Sequence, residues 1–174
     1  NAPFLLVGVY GVWALRRARW ISPADRWPWA VLVGSSFLIG LGSGYYHWIP
    51  NTQTLFWDRL PMTLGFMGVF SAVINERVHR PAGLLLLGPF LALGVLSVEV
   101  WRRGELTGVG DLRFYALVQF YPILAIPLMM FLFPARYTKS SGIWWMVFWY
   151  VLAKALESAD GLLFDAASGV MSGH

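Results

Sequence analysis

Three side chains suited to binding metal or moving protons stand close together in otherwise apolar sequence: Ser43, His47 and Asp58. They fall in Gly40-Leu41-Gly42-Ser43-Gly44-Tyr45-Tyr46-His47-Trp48-Ile49-Pro50 and in Asp58-Arg59-Leu60-Pro61-Met62. Ser43 and His47 are four apart, which stacks them on one helix face, with Gly40 and Gly44 clearing space on neighbouring turns. A straight helix would hold His47 and Asp58 roughly 16 Å apart, at about 1.5 Å per residue. Pro50 stops that helix, so a short reversal can bring Asp58 back at the depth of His47.

An imidazole beside a carboxylate suits zinc, whose catalytic sites usually take three protein ligands and leave a position for water. Of the three histidines, His79 stands in a charged loop and reads as a surface residue, whereas His47 and His174 come from pocket-forming positions. Two imidazoles do not close such a site, so a third donor is either a carboxylate or a residue past His174. The residues alone leave other readings open. His47 also fits a hydrogen-bonded membrane histidine, Ser43 a small hydroxyl at a helix contact, and Asp58 an interfacial helix cap.

The elements that must position these groups are membrane-like. Of 174 residues, 57% are hydrophobic without counting glycine, and the chain holds ten tryptophans and eighteen glycines. Soluble domains average about 45–50% apolar with glycine included. Tryptophan is enriched at membrane interfaces and glycine at contacts between membrane helices. The net charge of +4 sits in short clusters at the ends of apolar runs, too short for the continuous basic surface that nucleic acid needs. Cysteine is absent, which removes disulfides, thiolate catalysis and thiolate metal ligands.

Apolar runs and their punctuation predict an all-α, polytopic transmembrane bundle of six spans, forming a single domain over residues 1–174. The spans are Asn1 to Leu15, Trp27 to Ile49, Arg59 to Ala72, Pro81 to Val100, Leu112 to Phe133 and Gly142 to Leu163. Pro61 suits the first turn of the third, and Pro122 and Pro127 kink the fifth. The first run is short of the roughly 20 residues a span needs, and a seventh span would start near His174, so both ends read as cuts through a longer protein. Short connections make successive helices neighbours. Residues 75–80 read as a polar connection. Loops after the first, third and fifth spans hold eight arginines and lysines against four on the other side, which places the starting end outside the cytoplasm. The end of span two, the start of span three and the start of span seven then share that outer side, so His47, Asp58 and His174 can meet.

Two further polar lines cross the spans. Lys154, Glu157 and Asp160 follow at steps of three on span six, as a paired structural network or as groups that orient a site or carry protons. Asp111, Tyr115 and Gln119 follow at steps of four on span five, as a helix contact or as lining of the same cavity.

The ordered blocks Gly42-Ser43-Gly44-Tyr45-Tyr46-His47, Asp58-Arg59-Leu60-Pro61-Met62 and Ser172-Gly173-His174 resemble those of the alkaline ceramidase family. That family lies within a wider group of seven-helix membrane hydrolases that includes the adiponectin-receptor-like proteins. The resemblance covers nearly the whole chain, and residues 111–120 and 154–160 are similar to the family's bacterial members. It implies a zinc site on three histidines, with His47 and His174 as ligands here and the third one helical turn past His174. It further implies that Asp58 binds or activates the metal's water and that Ser43 hydrogen-bonds the water or the developing oxyanion. Tyr115, Gln119, Glu157 and Asp160 would then lie around those groups. The activity implied is cleavage of ceramide, or of a related long-chain amide, into an amine and a fatty acid. A bacterial inner membrane, with the site on its non-cytoplasmic side and a lipid substrate entering from the bilayer, follows from the same likeness and the charge bias. Some members bind calcium through an acidic segment before the first span, and this chain starts too late to carry that feature over.

The rival expectation is a non-enzymatic lipid receptor or structural membrane protein stabilised by metal. The hydrolase reading predicts a cavity near His47 that opens sideways toward lipid; the rival predicts such a cavity without a water placed to attack an acyl carbon.

Overall fold

The computed structural model describes residues 1–136 and 141–159, which form six helices: α1 (Ala2–Arg17), α2 (Arg26–Trp48), α3 (Thr52–Val73), α4 (Arg80–Leu106), α5 (Arg113–Leu132) and α6 (Ser141–Ser158). There is no strand among the described residues, and the fold is all-α as its apolar runs predict. A 3-10 turn, Pro23–Asp25, leads into α2, and a π-helical turn, Ile74–Val78, closes α3. Helices α1 to α5 form one unit, Asn1–Arg136, and α6 is the described part of a second.

Within the first unit α3 is the central element. Helices α2 and α4 run along it, α5 touches both α3 and α4, and α1 packs on α2. Every side chain from Met67 to Val73 is buried, as expected of a helix that is apolar on all sides and covered on all sides. Small residues let the partners come close. A Cβ on Gly68 would stand 3.0 Å from Val31 Cγ1 and 3.1 Å from the Pro28 carbonyl oxygen. Hydroxyls tie α3 to α4: Thr63 Oγ1 donates to the Gly94 carbonyl at 3.2 Å, and Ser71 Oγ to the Gly83 carbonyl at 2.6 Å.

The start of α3 departs from expectation. It begins at Thr52, seven residues before Arg59, because Asn51 and Thr54 form a reciprocal cap. Asn51 Oδ1 accepts from the amides of Gln53 and Thr54, both at 2.9 Å, and Thr54 Oγ1 accepts from the Asn51 amide at 3.1 Å. Asp58 is therefore not a cap, and Pro61 is the tenth residue of the helix rather than part of its first turn.

Residues 75–80, expected as a polar connection, are largely folded inward. Asn75, Glu76 and Arg77 are buried on the π-helical turn. Buried Asp25 collects the Ser22 amide at 3.1 Å, Asn75 Nδ2 at 3.2 Å and Arg80 Nε at 2.8 Å, while Arg77 Nη1 donates to the Phe133 carbonyl at 3.1 Å. The Asp25 carboxylate and the Phe133 carbonyl replace part of the water these groups give up, and Arg77 Nε stands 3.5 Å from Glu76 Oε1.

Among the described residues two helices, α4 and α5, are long and apolar enough to cross a membrane. Their outward side chains include Leu85, Leu124 and Phe131, each at least 75% exposed. On α6, Lys154 Nζ pairs with Glu157 Oε2 at 2.5 Å, one turn apart, the paired arrangement anticipated for this line. Asp160 lies outside the described residues.

Candidate functional site

The reversal at residues 49–51 is fixed by its own polar groups. Thr54 Oγ1 donates to the Ile49 carbonyl at 2.6 Å, which ties the end of α2 to the first turn of α3. The two helices then run antiparallel, and their closest approach falls at Gly42. A Cβ placed there would collide with the Trp57 carbonyl oxygen and come within 3.3 Å of the Asp58 amide nitrogen. Pro61 explains why that carbonyl is available. It stands four residues after Trp57 and has no N–H, so it cannot take the helical bond that the Trp57 carbonyl would otherwise accept.

Ser43 and Asp58 are each one residue past this contact. In antiparallel helices one step forward turns both side chains about 100° toward the same side of the seam. By that geometry the half-buried Ser43 and half-buried Asp58 turn to one side of the seam, offset by about 3 Å in depth because the two steps run in opposite directions along the axis. His47 is exposed and lies five residues past Gly42, roughly 7.5 Å nearer the reversal. By helical rise Ser43 stands nearer than His47 to the depth of Asp58. Side chains lean toward helix N-termini, so His47 tilts back toward Ser43 while Asp58 tilts toward the reversal, which narrows the offset.

The glycines divide differently from the expectation. Gly40 faces Leu5 of α1, whose Cγ a Cβ would approach to 2.7 Å, and Gly44 has nothing within 4 Å. Close approach of α2 to α3 is instead the work of Gly42.

On the next residue of α3, Arg59 carries its guanidinium over the Trp101 ring, 4.1 Å from its centroid, and 5.1 Å from that of Tyr115. Trp101 is held in turn by a bond from its Nε1 to Glu105 Oε1 at 3.0 Å. Tyr115 and Gln119 are both buried on α5, so two members of the predicted polar line do face inward. Asp111 does not. It lies in the preceding loop, where its carboxylate accepts from the Arg113 amide at 2.9 Å and pairs with Arg113 Nη2 at 2.7 Å. The Arg113 guanidinium first, and the backbone N–H second, hold its carboxyl down at about 2.

An apolar groove of about 270 Å³ runs along the seam, lined by Leu41, Gly42, Tyr45, Trp57 and Pro61 among others. Its residues precede the contact pair or stand on its far side, so the seam separates it from Ser43 and Asp58. It is not the cavity expected beside His47. Among the described residues no three histidine, cysteine or acidic side chains gather as a metal-binding group, and His174 lies outside them. Glu157 is on α6, in the second unit.

Sequence reasoning missed Arg59 with Trp101. The available signal was a cation followed directly by Leu-Pro-Met, within apolar sequence rather than at its edge. Comparison with family models, curated proteins and solved structures finds no match.

Proposed function

We propose that this chain forms the core of a zinc-dependent membrane hydrolase that cleaves ceramide or a related long-chain N-acyl amide. The observation that supports it is the tight contact of Gly42 with the Trp57 carbonyl, which by helical geometry turns Ser43 and Asp58 to one side of the α2–α3 seam, with His47 about one turn beyond Ser43. The six helices, two of them apolar and long enough to cross a bilayer, and the likeness to the alkaline ceramidase family point the same way.

The donors fit zinc in kind: an imidazole at His47, a carboxylate at Asp58 and a further imidazole at His174, outside the described residues. In this reading His47 and His174 hold the ion, which supplies a Lewis acid that acidifies water and polarises the acyl carbonyl. The chain's own groups do the rest. Asp58 takes the water's proton on a carboxylate oxygen and returns it to the leaving nitrogen. The water's oxygen ends on the acyl carbon, the carbon–nitrogen bond breaks, and amine and fatty acid leave. Ser43 donates a hydrogen bond to the acyl oxygen as its charge grows. With His47 on the metal and His79 past the far end of α3, no described histidine stands beside Ser43 to activate it, which argues against a serine nucleophile.

The test measures zinc content and hydrolysis of a long-chain ceramide by the full-length protein, beside His47→Ala and Asp58→Asn. Stoichiometric zinc with turnover is expected, both lost together in His47→Ala. Asp58→Asn should keep folded protein and lower turnover by about 100-fold or more, the usual reach of a general base. Zinc-free wild-type protein that still cleaves the amide would sink the reading.

A further inference from the structure

Arg59 is a charge in search of an oxygen. Its Nη1 is fully buried and has no hydrogen-bond acceptor among the described residues. Besides Asp58, the residue before it, three carboxylates at this end of the first unit are engaged with other residues: Glu105 with Trp101, Glu99 with Arg102 and Arg103, Asp111 with Arg113. The rings of Trp101 and Tyr115 offset the charge by cation–π attraction but give its N–H groups no oxygen. A guanidinium offers five donors in a planar fork whose best partner is a two-oxygen anion. A half-buried cation whose enclosed nitrogen has no acceptor, in apolar surroundings, marks a binding site more readily than a scaffold.

We propose that Arg59 binds an anionic group of the substrate, a carboxylate beside the scissile amide, as in an N-acyl amino acid. The substrate half of this inference rests on the hydrolase reading above. Asp58 and Arg59 are consecutive, so their side chains leave α3 at one depth and about 100° apart. An amide handled at Asp58 and an anion held at Arg59 must then belong to one small head group. A carboxylate one carbon from the amide nitrogen meets that demand; the neutral head of ceramide offers Nη1 only hydroxyl oxygens and no charge to match.

The experiment uses the full-length protein in neutral detergent and two ligands alike except for charge, N-oleoylglycine and N-oleoylethanolamine. Calorimetric titration should show the acid binding roughly tenfold or more tightly, the usual value of a hydrogen bond to a charged group. In R59Q that advantage should vanish while affinity for the ethanolamide is retained, and R59K should restore part of it. Equal affinities in the wild type, an advantage that survives R59Q, or loss of both ligands in R59Q and R59K alike would overturn the proposal. Adding phosphatidylglycerol separates the sources of anion: if it abolishes the acid's advantage, Arg59 serves bilayer phosphates and the substrate assignment falls. Hydrolysis of both amides is followed in parallel. Cleavage with no preference for the acid in binding sinks this inference and leaves the hydrolase reading standing. A binding preference for the acid without cleavage does the reverse.

Discussion

The α-carbon of Gly42 packs against the Trp57 carbonyl, with no room between them for a methyl group. Two sequence features make this contact: a glycine on α2, and Pro61, which withholds the helical donor from that carbonyl. The candidate site lies one residue further along both helices.

Gly42→Ala should therefore cost about 1–3 kcal/mol, since the added carbon meets backbone that cannot rotate away. Gly44→Ala, two residues later with open space around it, should be neutral or stabilise by up to about 1 kcal/mol through helix propensity. Unfolding both variants with increasing denaturing detergent checks the contrast. Similar shifts for the two would show that the seam is not as close as described.

At the opposite end of α3, Asp25→Ala would strip buried Asn75 and half-buried Arg80 of their carboxylate. A loss of about 2 kcal/mol or more is expected, the cost of orphaning hydrogen bonds to a charged group. Asp25→Asn keeps the shape and one acceptor oxygen and should lose less. The same detergent titration reads both, and a silent Asp25→Ala would mean that this end is wet.

Asp111 gives a pH dependence with a definite sign. Its carboxyl titrates at about 2 in the folded chain against an ordinary 3.8. The folded state therefore favours the ionised form. The contribution is complete above the ordinary value and fades as pH falls from about 4 toward about 2. Melting temperature followed over that range should fall more steeply for wild type than for Asp111→Asn, and high salt should narrow the gap because the pair is exposed. Parallel curves would remove Asp111 from the acid response.

The helices were legible because apolar runs and prolines mark them independently of context, and their observed bounds differ from expectation mainly where side-chain chemistry intervenes. Asn51 and Thr54 extended α3 backwards through a cap written in small polar residues that also serve as ordinary loop formers. Asn75, Glu76 and Arg77 read as solvent-facing because their partners, Asp25 and the Phe133 carbonyl, stand some 50 residues away and no local pattern announces them. A meeting of His47 with Asp58 was the expectation once Pro50 implied a reversal. The register of α2 on α3 was not legible, since it depends on which glycine meets which carbonyl. Arg59 looked like a boundary charge for a similar reason: the rings that hold it belong to α4 and α5.

The contact at Gly42 and the Thr54–Ile49 bond act as two rivets on one seam. The first sets backbone against backbone, and the second closes the loop that joins α2 to α3. Ser43 stands beside the first and His47 between the two, so the stretch of α2 that carries the candidate donors is clamped at both ends. A substitution that loosens either rivet therefore reaches His47 without touching it.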